Sequence, residues 1–231
     1  MPDQVYSHRL TFARKRALPG ALRRSYIAFM TETSERTPFD WDTRFRADDT
    51  PWERRQLHPA AAHWLESGVL APGLTVMVPG CGRAPEVVAF ARAGLTVIAG
   101  DVSPTALAWQ REQLETAGTT AELVEGDILA WRPDAPVDLV YEQTFLCAIP
   151  PRLREDYETA LTHWLKPGGR LLALFMQKAE RGGPPYGCAL EAMHDLFPAE
   201  RWVWPADEAF IAWPHPSLNG KPELGGVLVK R

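Results

Sequence analysis

The stretch LTVMVPGCGRAPEVVAFARAGLTVIAGD, from Leu74 to Asp101, constrains the fold more than any other part of the sequence. Thr75–Val78 and Thr96–Ala99 are short apolar runs of the kind that form strands buried on both faces. A helical pattern from about Pro85 to Ala93 separates them, and the second run ends at an acid. Strand, turn, helix and strand in so few residues make half of a nucleotide-binding α/β unit.

The turn carries Gly80 and Gly82. A ligand approaching the end of the first strand meets backbone there, and only residues without a Cβ let it come within hydrogen-bonding distance. Pro85 starts the helix where its missing N–H costs nothing, and Glu86 suits the positive end of the helix dipole. Asp101 follows Gly82 by 19 residues, a distance that sets it at the tip of the next strand, able to accept both hydroxyls of a ribose. A dinucleotide fingerprint would require G-x-G-x-x-G, whereas the positions here are Gly80, Gly82, Ala84 and Pro85. A small residue two after the second glycine, with no pyrophosphate glycine, favours S-adenosylmethionine over NAD.

With 231 residues and 45% hydrophobic content the chain can bury one substantial core. One domain is therefore expected over 37–231, preceded by an extension over 1–36. The net charge of −4, with acids and bases interspersed beyond the extension, argues against a nucleic-acid or membrane-surface role. No apolar run approaches the length of a membrane span. Cys81, Cys147 and Cys188 form no C-x-x-C or Cys/His pattern, so no metal site is expected, and they read as reduced, buried thiols in a cytoplasmic protein. The expected partner is a small-molecule substrate, on a monomer or a weak homodimer.

The extension carries Arg9, Arg14, Lys15, Arg16, Arg23, Arg24 and Arg36 against Asp3, Glu32 and Glu35. Three readings compete: a loosely packed tail, an upstream extension whose true start is Met30, and an Arg-rich transit peptide, the first being favoured. Beyond it, Trp41, Phe45 and Trp52 punctuate a polar stretch. Trp52, Leu57, Ala61, Trp64 and Leu65 suit an amphipathic helix over Pro51–Leu65. Aromatics in such a stretch serve as hydrophobic plugs, or, for a cationic sulfonium ligand, as faces that attract it.

After Asp101, Ser103 and Pro104 fit the N-cap and N1 of a helix to about Ala117. Ala121–Glu125 reads as a third strand leading to Gly126, Asp127 and Ile128; a carboxylate and an apolar neighbour in that loop suit an adenine ring. Val137–Tyr141 is a fourth strand, delivering Glu142, Gln143, Thr144 and Phe145 to the carboxyl edge of the sheet, where reacting groups are expected. A helix from about Pro151 to Leu165, a turn over Lys166–Gly169 and a fifth strand over Arg170–Phe175 follow. The Pro/Gly loop GGPPYG offers Tyr186, and a short helix covers about Leu190–Leu196. Arg201–Trp204 and Val227–Lys230 are expected to finish the sheet as an antiparallel pair.

From about Trp41 to Tyr186 the chain resembles the thiopurine methyltransferase superfamily, and within it the halide/thiol methyltransferase branch. The motifs that carry the resemblance are DWDTRF and TPW, VPGCG with the later Gly100 and Asp101, EGDI at Glu125–Ile128, YEQTFLCAIPP at Tyr141–Pro151, LKPGG and GGPPY. The resemblance implies a class I methyltransferase fold: a Rossmann-like α/β sandwich with a mostly parallel seven-stranded sheet, helices on both faces and a C-terminal antiparallel pair. It also implies S-adenosyl-L-methionine bound across the strand tips. On that pattern Trp41, Phe45, Trp52, Gly80, Cys81, Gly82, Asp101, Asp127, Ile128, Glu142 and Gln143 fall at the cofactor, and Gln143, Phe145, Tyr157 and Tyr186 at the substrate. Phe45 stands where plant relatives often carry Trp. Gln143 stands where thiopurine enzymes carry a substrate-facing Arg, so that substrate loses its anchor.

The implied reaction is in-line attack of a soft nucleophile on the sulfonium methyl, which needs proximity and exclusion of water. Thiolate and halide arrive already anionic, and the sequence shows no Ser/His/Asp order, metal cluster or obvious acid/base pair of carboxylates. His163, Cys147 and Tyr157 are available as bases, yet each is better explained by packing or surface placement. The alternatives are a methyltransferase for a larger thiopurine-like or metalloid substrate, and a cofactor-binding protein without catalysis.

Overall fold

A computed structural model describes residues 39–215 and 220–231; the expected basic extension over 1–36 lies outside them. An eight-stranded sheet organises the described chain, in the order β3-β2-β1-β4-β5-β8-β6, with β7 also paired to β8. The strands are β1 (Thr75–Pro79), β2 (Thr96–Asp101), β3 (Glu122–Glu125), β4 (Val137–Glu142), β5 (Leu165–Met176), β6 (Trp202–Val203), β7 (Ile211–Pro214) and β8 (Pro222–Lys230). The first five are parallel, and β8 runs antiparallel to β5, β6 and β7. The strand order reverses between β1 and β4, which is where an open α/β sheet forms its ligand crevice.

The helices are α1 (Trp41–Arg46), α2 (Pro59–Glu66), α3 (Glu86–Arg92), α4 (Pro104–Ala117), α5 (Phe145–Ala148), α6 (Arg154–Trp164) and α7 (Leu190–Leu196). They divide the core into two layers. On one face Ala61, Trp64, Val87, Phe90, Leu107 and Leu114 pack on Val76, Val78, Leu139 and Tyr141. On the other, Tyr157, Leu161, Trp164 and Met193 pack on Met77, Val140, Leu171 and Phe175. Both faces of the central strands are thus buried, which is why those strands read as continuous apolar runs rather than alternating ones.

Ser103 caps α4 as expected, its hydroxyl accepting from the Ala106 N–H at 3.1 Å, and Pro104 follows at N1. Gly118, at φ 64°, closes the same helix in the left-handed conformation. Three expectations are corrected. The helix expected over Pro51–Leu65 begins only at Pro59: His58 is extended, as a residue before proline prefers, and its Nδ1 accepts from the Ala60 N–H at 3.0 Å. Trp52 therefore sits in a turn, while DWDTRF forms a helix of its own, capped by Asp40, which accepts from the Thr43 N–H at 3.0 Å. Second, LKPGG continues β5 instead of preceding it; Leu165 still pairs with Val137, and the irregularity in register next to it lets Gly168, at φ 75°, take up the extra length. Third, β7 raises the expected seven strands to eight.

Candidate active site

The turn after β1 has the backbone conformation its glycines suggest. Gly80 has φ 57° and Gly82 φ 46°. A Cβ on Gly80 would lie 2.5 Å from Phe145 Cδ2, and one on Gly82 would lie 3.1 Å from Phe45 Cζ. Both positions are closed to a side chain by conformation and by space.

Asp101 ends β2 directly beside this turn. Its Oδ2 accepts from the Gly82 N–H and its Oδ1 from the Ser103 N–H, both at 2.8 Å. Burial raises its pKa to about 6, against the pull of those N–H groups. Each carboxylate oxygen retains a second lone pair, so acceptor capacity remains. Cys81, between the two glycines, is 3% exposed and its side chain belongs to the core, with burial driving its thiol well above the usual range. Only its backbone faces the turn, where its N–H donates to Gly100 O.

The N-terminal aromatics close over the same edge. Phe45 is 3% exposed, a hydrophobic plug over Gly82, whereas Trp41 and Trp52 are half-buried. Trp41 and Trp52 meet edge-to-face at 5.5 Å, and Trp52 meets Phe45 in the same manner at 6.1 Å. Polar contacts hold α1 against the sheet edge. Asp42 Oδ1 accepts from the Ser103 hydroxyl and the Thr105 N–H, and Arg83 donates to Phe45 O and to the Asp48 carboxylate. The Arg44 guanidinium lies 4.8 Å over the Trp52 ring.

After β3, Ile128 is buried with its Cδ1 so close to Gly100 that a Cβ there would be 2.3 Å away. Asp127 is half-buried, its Oδ1 accepting from the Leu129 N–H at 3.0 Å. After β4, Glu142 is 1% exposed and its Oε1 accepts from the Leu146 N–H at 2.7 Å. Gln143 Oε1 accepts from the Tyr141 hydroxyl at 3.1 Å. Phe145 stacks edge-to-face on Tyr157 at 5.1 Å, and Tyr157, wholly buried on α6, also touches Trp164. The GGPPY loop is tied to α5 by the Tyr186 N–H, which donates to Cys147 O at 2.7 Å. His163 is exposed and bonded to Thr159 O, while Cys147 is buried and donates to Thr144 O.

Sequence reasoning missed the buried polar network behind this edge. Glu223 on β8 accepts from Arg54 Nη2 at 3.2 Å and lies 3.1 Å from His58 Nε2, while the Glu86 carboxylate accepts from the His58 N–H at 2.8 Å. Because Ala60 donates to His58 Nδ1, the ring proton sits on Nε2 and points at Glu223. A charged residue at Glu223, directly before the apolar run LGGVLV of the same strand, was the one available signal. No group of His, Cys, Asp or Glu suited to a metal ion occurs among the described residues, nor any helix long and apolar enough to cross a membrane.

Strand order, the left-handed glycine turn and an acid at the tip of β2 define the fold of class I S-adenosyl-L-methionine-dependent methyltransferases. Two solved structures share it at low identity. One is the 1,6-didemethyltoxoflavin-N1-methyltransferase of Burkholderia thailandensis, with TM-score 0.66 and 18% identity over 93% of each chain. The other is the magnesium protoporphyrin IX methyltransferase of Synechocystis PCC 6803, with TM-score 0.64 and 16% identity over 90% of this chain and 100% of that one. The thiopurine S-methyltransferase family matches residues 36–207, and the chain belongs to that family. It is a methyltransferase whose cofactor is S-adenosyl-L-methionine. It is 34% identical to probable thiol methyltransferase 2 of Arabidopsis thaliana, covering 72% of this chain and 74% of that one. Thiocyanate methyltransferase 1 of Brassica oleracea is 32% identical, with 73% and 74% covered. The thiopurine S-methyltransferase of Nitrosospira multiformis stands at 27%, with 68% and 79% covered.

Proposed function

We propose that the protein methylates a small soft nucleophile, a thiol or bisulfide, thiocyanate or a halide, by in-line displacement at the cofactor's sulfonium methyl. Bound S-adenosyl-L-methionine supplies that electrophilic methyl. Asp101 accepts its ribose hydroxyls, the Gly80–Gly82 backbone receives its amino-acid end, and Asp127 with Ile128 meets the adenine. Glu142 and Gln143 border the cofactor from the tip of β4. Trp41, Phe45 and Trp52 cover the cation and exclude water.

The observation that carries the substrate class is the state of Gln143 and its surroundings. Its amide oxygen is engaged by Tyr141, it brings no charge to hold a large anionic heterocycle, and the half-buried Phe145 and Tyr186 present aromatic walls from the segment after β4 and the GGPPY loop, which are tied together through Cys147 O. Such walls desolvate an entering anion, which favours large, weakly hydrated ones, so iodide should outpace chloride. The greater identity to plant thiol and thiocyanate enzymes than to the thiopurine enzyme supports the same reading. Headspace gas chromatography with bisulfide, thiocyanate, iodide, chloride and organic thiols tests it. Equal rates for chloride and iodide would rule out desolvation as the source of selectivity, and turnover of thiopurines alone would overturn the substrate class.

The segment of α1 and Trp52 closes over the cofactor in this reading. Amide hydrogen exchange across residues 39–55 is expected to slow when S-adenosyl-L-methionine is added, since its aromatics then gain a cation to cover. Equal exchange in both states would return Trp41 and Trp52 to a purely structural role.

A further inference from the structure

Glu142 has more acid–base capacity than its structural task uses. One oxygen satisfies the Leu146 N–H at the start of α5, and a single acceptor suffices for that. The other, Oε2, is buried without a hydrogen-bond partner. The Tyr157 hydroxyl, on the same face of the sheet, is also buried and unpartnered. Two such groups close together are costly unless they serve a ligand. Their position suits one: Met77 pairs with Val140, which sets Glu142 beside Pro79 and the Gly80 turn, with Phe145 bridging Gly80 and Tyr157.

We propose that Glu142 is the proton acceptor for a thiol substrate, with the Tyr157 hydroxyl as the donor that orients the sulfur. The inference rests on the methyl-transfer reading above and names a catalytic residue for it. The thiol S–H proton passes to Glu142 Oε2. The sulfur's electron pair then forms the new bond to the methyl carbon as the methyl–sulfonium bond breaks and its pair stays on the departing thioether. Glu142 returns its proton to solvent as product leaves. Thiocyanate and halide bring no proton and do not use this step.

The groups facing Glu142 set its basicity. Together they bring it to about 7: burial raises it most, the Leu146 N–H lowers it, Glu223 on β8 raises it by like charge, and the Phe145 N–H and Arg154 on α6 lower it. Tyr157 on α6, Cys147 on α5, Tyr141 on β4 and Cys188 in the loop before α7 complete its surroundings, each held neutral by burial. A carboxylate that gives up its proton near neutrality is matched to a thiol that ionises near ~8.5.

The test compares N-acetylcysteinamide with thiocyanate across pH 5.5–9.5 at saturating cofactor, in wild type and Glu142→Gln, which keeps an oxygen for the Leu146 N–H. A thiol ionising near ~8.5 is about 3% thiolate at pH 7, so a base can contribute at most roughly 30-fold there. With the cofactor's cation favouring the ionised carboxylate, the wild-type thiol profile should level off at or below 7, and the thiol-to-thiocyanate ratio at pH 7 should fall about 10- to 30-fold in the variant, with its thiol limb moving to ~8.5. Carbon NMR of carboxyl-labelled glutamate provides a readout apart from turnover: one resonance, missing in the variant, should titrate near neutrality in wild type. A wild-type thiol profile that already follows the thiol's own ionisation, or a ratio unchanged by the substitution, would overturn the assignment even if the variant proved unstable. Methylation of neither nucleophile would overturn the reading beneath it instead.

Discussion

Asp101→Ala is expected to weaken binding of S-adenosylhomocysteine by about 1.5–3 kcal/mol, roughly one to two decades in affinity, since charge-assisted bonds to two hydroxyls are lost. The geometry adds a second contribution. The carboxylate spans the Gly82 and Ser103 N–H groups, so it also joins the glycine turn to the start of α4. Alanine leaves both donors buried and unpaired, and the turn loses the brace that presents it to the ligand. Asp101→Asn separates the two effects: its amide oxygen can satisfy one donor, while its nitrogen repels the other and cannot accept from a ribose. Calorimetric titration reads the change, and an unaltered dissociation constant would remove Asp101 from the site.

What could be read in the sequence follows how local each feature is. The glycine turn, the Ser103–Pro104 helix start and the short helix Leu190–Leu196 are governed by residues within a few positions of one another, and each stands where expected. The helix expected over Pro51–Leu65 failed because a periodic pattern carries no penalty for the His58–Pro59 step, which ends any helix entering from the N-terminal side. Strand β7 escaped because Ile211 and Ala212 are exposed at the edge of the sheet and show no alternation. The His58–Glu223 contact joins residues 165 apart, and no spacing rule links an acid near the C-terminus to a histidine before α2. At Glu142 the charge and its place at a strand tip were legible, but not that one oxygen would be consumed by α5 and the other left over.

The ligand-free protein is expected to lose stability as pH rises from 4 to 7, and bound S-adenosyl-L-methionine to offset much of that loss. Burial raises Asp101 from 3.8 to about 6 and Glu142 from 4.5 to about 7, and raises Glu86 as well. Between the unfolded and folded values the native state holds protons that the unfolded chain has released, so stability falls with rising pH. The stabilisation is fully present below about 4 and is gone once pH passes the folded values, near 6 for Asp101 and 7 for Glu142. A shift of about two units corresponds to about 3 kcal/mol for each of these two carboxylates. His215 acts in the opposite sense: burial holds it neutral, so it costs stability as pH falls below its ordinary 6.5. Asp42 and Asp138, held low by their hydrogen bonds, contribute stability that is lost only as pH falls through their depressed values, at the acid end of the range or below it. Two carboxylates with large shifts outweigh one histidine, which sets the sign between pH 4 and 7. A sulfonium cation and ribose hydroxyls at the strand tips favour the ionised carboxylates, so cofactor should bind more tightly as pH rises through about 6 and release protons as it does. Urea denaturation at a series of pH values, with and without cofactor, measures both effects. Flat or rising stability in the ligand-free protein, or cofactor affinity that declines with pH, would show that Asp101 and Glu142 are ionised in the native state at ordinary carboxylate values.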